Sequence, residues 1–183
     1  MPSATERAPL AGPDSGPAAP FPLRLSGPVV KGFGRGSKEL QIPTANIPIS
    51  GLNVGGCSDI ESGVYFGFAS LYPSAAAADA PTVFPMVMSI GWNPFYKNTV
   101  RSVEVHIVHK FATDFYGAEM RLCVLGWIRP ELDYVSREAL IRDIQTDISV
   151  GVNSLRRPAY AGFALDDYLL AAGRGARVSE EKL

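Results

Sequence analysis

Gly32-Phe33-Gly34-Arg35-Gly36-Ser37-Lys38-Glu39-Leu40-Gln41-Ile42-Pro43-Thr44-Ala45-Asn46 is the stretch from which the rest of the chain is read. Glycine at alternate positions lets the backbone adopt φ > 0 and come close to a ligand, so that successive N–H groups point into one concavity. Such a nest suits phosphate oxygens, and Arg35 and Lys38 add positive charge. Pro43 fixes its own φ and pushes Ile42 toward extended geometry. On an extended backbone Thr44 and Asn46 leave the same face. Two neutral oxygen ligands side by side offer a foothold for Mg²⁺, an ion that keeps several waters and arrives with substrate phosphates. The combined reading is a pocket for a magnesium nucleotide, set against the plainer reading of a glycine-rich turn. Neither standard nucleotide signature fits: Lys38 follows Ser37 where a P-loop needs Gly-Lys, and a Pro-Thr-Ala-Asn segment stands where a dinucleotide fold needs a helix.

The totals bound the rest. A chain of 183 residues and 19.6 kDa reads as one domain, long enough to bury a substantial core. With 46% hydrophobic and 19% charged residues the composition is that of a soluble globular protein. A net charge of −1 gives no basic footprint for nucleic acid. No apolar run approaches a membrane span. Cys57 and Cys123 lie far apart in sequence and outside any Cys-x-x-Cys pair, which points to a reduced, cytoplasmic protein.

Residues 1–20 are rich in Pro, Ala, Gly and Ser and read as a flexible tail without signal-peptide character. Strands are expected at residues 23–30, 63–71, 82–91, 102–110 and 119–128, from alternation and β-branched or aromatic content. Residues 49–62 read as a surface loop, and 73–81, alanine-rich but bracketed by prolines, as a hairpin loop. In the fourth of these strands Val103, Val105 and Ile107 point one way, and Ser102, Glu104, His106 and Val108 the other. Strands this short and frequent favour a closed or nearly closed antiparallel barrel, which removes exposed edges. Then the period changes. Leu140, Ile141, Ile144, Ile148 and Val152 recur at helical spacing behind Asp133 or Ser136 as N-cap, predicting a helix over 136–155 whose apolar stripe lies on the barrel. A short helix is expected around 165–171, and residues 173–183 form a charged C-terminal tail, leaving 21–172 as the domain.

Glu104 stands between Val103 and Val105, either as a solvated outer carboxylate or as one facing a polar pocket. His106 and His109, three apart on a strand, face opposite sides and cannot share a metal ion. The stretch Asn93-Pro94-Phe95-Tyr96-Lys97-Asn98, followed by Ser102-Val103-Glu104-Val105-His106-Ile107, resembles the second signature of riboflavin kinases. The glycine loop with Pro43-Thr44-Ala45-Asn46 resembles their nucleotide and magnesium motif, and Gly126-Trp127-Ile128-Arg129-Pro130-Glu131 is similar to a third. The chain departs from the family at Gln41, where many relatives carry glycine; a requirement for φ > 0 there would strain glutamine.

The resemblance implies a closed six-stranded antiparallel Greek-key β-barrel with a long C-terminal α-helix packed on it. It also implies a monofunctional, eukaryotic-type enzyme, a monomer, that transfers the γ-phosphate of ATP to riboflavin and makes FMN without going on to FAD. By the same resemblance Glu104 is the catalytic base, and Thr44 and Asn46 hold Mg²⁺, or Zn²⁺ or Mn²⁺ in its place. Gly32, Gly34, Arg35, Gly36, Lys38, His106, His109 and Tyr116 lie along the nucleotide, and Arg129, Tyr134 and Asp147 along the flavin. Read as residues alone, Arg129 has the alternative of a surface charge, while Tyr134 is equally a rim aromatic and Asp147 equally a solvated helix residue. Two rivals are a flavin-binding barrel without phosphate transfer, which gives the Thr/Asn pair no task, and a nucleic-acid-binding barrel, which the near-neutral charge disfavours.

Overall fold

The computed structural model describes residues 7–31, 42–48, 60–72, 81–92 and 101–171. Six strands form one sheet: β1 (Leu23–Pro28), β2 (Ala45–Pro48), β3 (Gly63–Tyr72), β4 (Val83–Trp92), β5 (Arg101–Ile107) and β6 (Glu119–Arg129), in the order β1-β6-β3-β4-β5-β2. Every paired neighbour is antiparallel. β2 emerges where sequence gave only an extended segment, and β5 ends at Ile107 rather than running on to Lys110. The sheet curls into a half-barrel of six antiparallel strands. Its two end strands meet through the bridge between Val30 and Asn46, because β2 is only four residues long and β1 stops at Pro28.

Strict alternation sorts the strands into two apolar layers. Leu25, Ile47, Tyr65, Ala69, Met88, Val103, Val105 and Val124 fill the concave core. Phe66, Phe68, Cys123 and Leu125 point to the opposite face, so β3 and β6 are buried on both sides. The helices cover that outer face. α1 (Arg137–Leu155) is capped by Ser136, whose side chain accepts from the Ala139 N–H at 3.2 Å, which decides between the two candidate caps. α2 (Pro158–Ala161), a 3₁₀ turn (Gly162–Leu165) and α3 (Asp167–Leu170) follow. Gly151 sets the closeness of α1: a Cβ there would lie 2.8 Å from Val87 Cγ2 and 3.2 Å from Phe66 Cβ.

The apolar stripe of α1 lies over the sheet as expected, but it seals only at the C-terminal half of the helix. The buried residues of the helix are Asp147, Val150, Gly151, Ser154 and Leu155, while Leu140, Ile144 and Ile148 are half-buried and line a cavity between helix and sheet. Residues 7–20, read from composition as a tail, carry no helix or strand but are bonded to the helices. The Ala11 N–H donates to Ser154 Oγ at 2.9 Å and Tyr160 Oη donates to the Pro13 carbonyl at 2.8 Å.

Candidate functional site

The site is assembled along the sheet, perpendicular to the chain. Asn46 pairs with Glu104, Glu104 with Ser89, Ser89 with Val64, and Val64 with Arg129, so a single row crosses five strands. Directly opposed residues share a face of the sheet. Since Val103 and Val105 are in the core, Glu104 and its row look outward, toward α1. A cavity of about 360 Å³ opens over this row, lined by Thr44, Glu104, His106, Arg129, Tyr134 and Asp147 together with Val64, Met88, Leu140, Ile144 and Ile148. Its walls are apolar toward the helix, and its polar groups converge from four separate segments.

A second cavity, of about 560 Å³, adjoins it and shares Thr44; His109, Phe111, Asp114, Phe115 and Tyr116 are among its other walls. The His109 ring lies 4.6 Å from that of Phe84 and 4.8 Å from that of Phe111, a cluster past the end of β5. His106 and His109 thus serve different cavities. His106 Nδ1 is 2.8 Å from the Pro43 carbonyl, which can only accept, so Nδ1 carries the hydrogen and the ring ties β5 to the residue before Thr44. Asn46 lies beyond the first cavity's lining but directly opposite Glu104. Gly32, Gly34, Arg35, Gly36 and Lys38, with Gln41, lie outside the described residues.

The electrostatics of the first cavity favour uptake of a proton at its acids. Glu104 reaches solvent through the cavity mouth yet is surrounded by protein on its other sides, and this desolvation raises its pKa above the ordinary carboxylate value. Glu131, nearby in the same lining, is raised as well, by burial first and by the charges of Glu104 and Asp133, against Arg101 and Arg129.

At the far end of the row a charged cluster holds Arg129. Its Nε and Nη2 donate to Asp147 at 3.0 and 2.7 Å, and its Nη1 to the Pro130 carbonyl at 3.0 Å. Burial pulls the Arg129 pKa down, but the bonds to Asp147 and its charge more than reverse this. Asp147 is 2% exposed, and burial raises its carboxyl despite the guanidiniums against it. Its oxygens also meet Arg7, so Asp147 bears on the cavity through the arginines it orients. Tyr134 donates to Asp143 Oδ2 at 2.7 Å, with Arg129 over its ring at 5.9 Å. Burial acts to raise Asp143, but the Tyr134 bond and the charges of Arg7 and Arg129 bring its pKa below the ordinary value. Sequence reasoning missed Asp143, although its i, i+4 spacing to Asp147 places both acids on one helix face.

Two adjoining cavities that share the Thr44 hydroxyl, each with acidic side chains in its lining, leave room for two small molecules side by side. Comparison with known proteins names the kind. The flavokinase model, described as riboflavin kinase, matches residues 19–155. The chain is 55% identical over 165 residues to the riboflavin kinase of Pyricularia oryzae, covering 86% of this chain and 82% of that protein. It is 49% identical over 198 residues to that of Aspergillus terreus, covering 97% and 91%. The crystal structure of riboflavin kinase from Trypanosoma brucei superposes with a TM-score of 0.61 at 27% identity, over 80% of this chain and 87% of that one. The chain belongs to the riboflavin kinase family.

Proposed function

We propose that this protein transfers the γ-phosphate of ATP to the ribityl 5′-hydroxyl of riboflavin, giving FMN and ADP. The observation that carries the reading is the meeting of Thr44, Asn46 and Glu104: Thr44 joins the two cavities, and Asn46 sits directly across from Glu104. Riboflavin occupies the first cavity. Three strand spacings separate Glu104 from Arg129, about 14 Å, a span suited to a tricyclic ring with a five-carbon tail. Arg129 and Tyr134 meet the ring, with Asp147 orienting Arg129, while the apolar face of α1 covers it. The nucleotide lies in the second cavity against His109 and Tyr116, with His106 at the boundary and its phosphates on the loop of Gly32, Gly34, Arg35, Gly36 and Lys38. In the same reading the seam from Val30 to Asn46 closes the curled sheet into a Greek-key barrel.

Glu104 accepts the 5′-hydroxyl proton as that oxygen bonds to the γ-phosphorus and the bond from phosphorus to the ADP oxygen breaks. A carboxylate with a raised pKa is better matched to take up a proton near neutral pH. Thr44 and Asn46 supply neutral oxygen donors, and no cluster of His, Cys, Asp and Glu able to hold a metal occurs among the described residues. That donor set fits Mg²⁺ or Mn²⁺ better than Zn²⁺. These two residues would hold the ion, which when bound neutralises phosphate charge. We place the activity in the cytoplasm and in a monomer. Separately, no helix among the described residues is long and apolar enough to cross a membrane. The test is incubation with riboflavin, ATP and Mg²⁺ followed by chromatography. FMN without FAD is expected, and folded protein that binds flavin but forms no FMN overturns the kinase reading.

A further inference from the structure

The N-terminal arm carries no part of the chemistry proposed above, yet its first described residue lies inside the charged cluster behind the flavin cavity. Arg7 Nη1 donates to Asp147 Oδ1 at 2.5 Å, and its Nη2 to Asp143 Oδ1 at 2.9 Å. These two acids hold two of the polar side chains of the cavity wall: Asp147 grips Arg129, and Asp143 accepts from Tyr134. Arg7 therefore ties together the supports of Arg129 and Tyr134, its own hydrogen bonds going to Asp143 and Asp147.

The arm is built to hold Arg7 there. The Arg157 guanidinium donates to the carbonyls of Ala11 and Gly12 and pairs with Asp14 at 2.9 Å. Gly12, at φ 76°, lies so close to Tyr160 that a Cβ would stand 2.5 Å from its hydroxyl oxygen, so the arm must pass there as glycine. With Ala11 bound to Ser154 on the last turn of α1, residues 7–14 run along the helix and bring Arg7 to Asp143 and Asp147. A flexible tail would not need an anchor at each end.

We propose that Arg7 is a positioning residue for riboflavin: the arm acts as a strap that fixes Asp143 and Asp147, and through them the directions of Tyr134 and Arg129 in the flavin cavity. This rests on the reading of Arg129 as a flavin-binding residue. An acid shared by two guanidiniums has its orientation settled on both sides, whereas one gripped only by Arg129 can swing with it. The strap bears on the flavin half of the site and leaves the nucleotide cavity alone.

The test uses the full chain with Arg7→Met, Arg7→Lys and Arg129→Met. Riboflavin and ATP KM and kcat are measured, together with riboflavin affinity from flavin fluorescence without ATP and thermal melting. Arg7→Met is expected to raise riboflavin KM and Kd by roughly tenfold, the scale of one lost charge-assisted hydrogen bond, with ATP KM unchanged. Arg7→Lys keeps the charge but is shorter and lacks the planar fork that spans both acids, so it should recover only part of the loss. Riboflavin KM unchanged in folded Arg7→Met, an equal shift in both substrates, or full recovery by lysine each overturns the strap. If Arg129→Met itself leaves riboflavin affinity unchanged, the placement of the flavin fails instead, a result distinct from failure of Arg7 alone.

Discussion

Replacing Asp147 by asparagine tests the charged cluster most severely. The substitution keeps the shape and one acceptor oxygen but removes the charge that faces Arg129 and Arg7. Asp147 is 2% exposed and Arg129 9%, so neither group can turn to bulk water for compensation. Breaking a buried ion pair from one side costs about 3–5 kcal/mol, since it leaves the other charge buried and uncompensated. Arg7, at 18% side-chain exposure and still paired with Asp143, escapes part of that cost, and the amide oxygen retains one bond from Arg129. Both considerations favour the lower end, about 3 kcal/mol. For a domain of this size that lowers Tm by roughly 6–12 °C. Urea denaturation with an unchanged m-value measures the loss, and thermal melting checks it. A riboflavin KM raised alongside ties the cluster to the cavity. A loss below about 1 kcal/mol, the scale of a surface pair, would refute the claim that Arg129 depends on Asp147. The cost of breaking the cluster is not its net worth, because burial alone already raises the Asp147 carboxyl.

Glu104→Gln should lower kcat by about 10²- to 10⁴-fold with riboflavin KM little changed; near-normal FMN formation removes Glu104 from the mechanism. The same variant has a stability signature. Because the folded pKa of Glu104 is raised, its contribution is fully present below the ordinary carboxylate pKa and lost as pH rises through the raised value, so Glu104→Gln gains on wild type toward neutral pH and not in acid. Melting curves across pH read this, and a gap constant with pH contradicts it. Thr44→Val, which removes the hydroxyl and keeps the shape, should raise the Mg²⁺ concentration needed for half-maximal rate by roughly tenfold; an unaltered metal titration excludes Thr44 as a ligand. Gly67→Ala would set a Cβ 2.0 Å from the Cys123 carbonyl oxygen, forcing β3 and β6 apart at a cost of about 1–3 kcal/mol or more in urea denaturation.

Much of the sheet was legible because its signals are local. Alternation in Val103, Val105 and Ile107 assigned the core face of β5 and so the outward face of Glu104, and the helical spacing behind Asp133 or Ser136 bracketed the start of α1. β2 was harder: four residues give too short a pattern to separate a strand from a proline-stiffened segment. The α1 stripe and its place over the sheet were found, but not the cavity left between them, since sequence cannot tell an apolar face packed tightly on protein from one that lines a cavity. Arg7 stayed invisible for a different reason. It lies 140 positions from Asp147, and a Pro- and Gly-rich composition carries no periodicity to show that a segment is held by side-chain bonds to its backbone.

The row from Asn46 to Arg129 has one further consequence. Its length is counted in hydrogen-bonded strand spacings, a ladder that turns at the ends of strands do not enter. Residues may be added to or deleted from the β3–β4 connection without lengthening or shortening that gauge. A slip of one residue in β5, by contrast, would point Glu104 into the hydrocarbon interior and break its pairing with both Asn46 and Ser89.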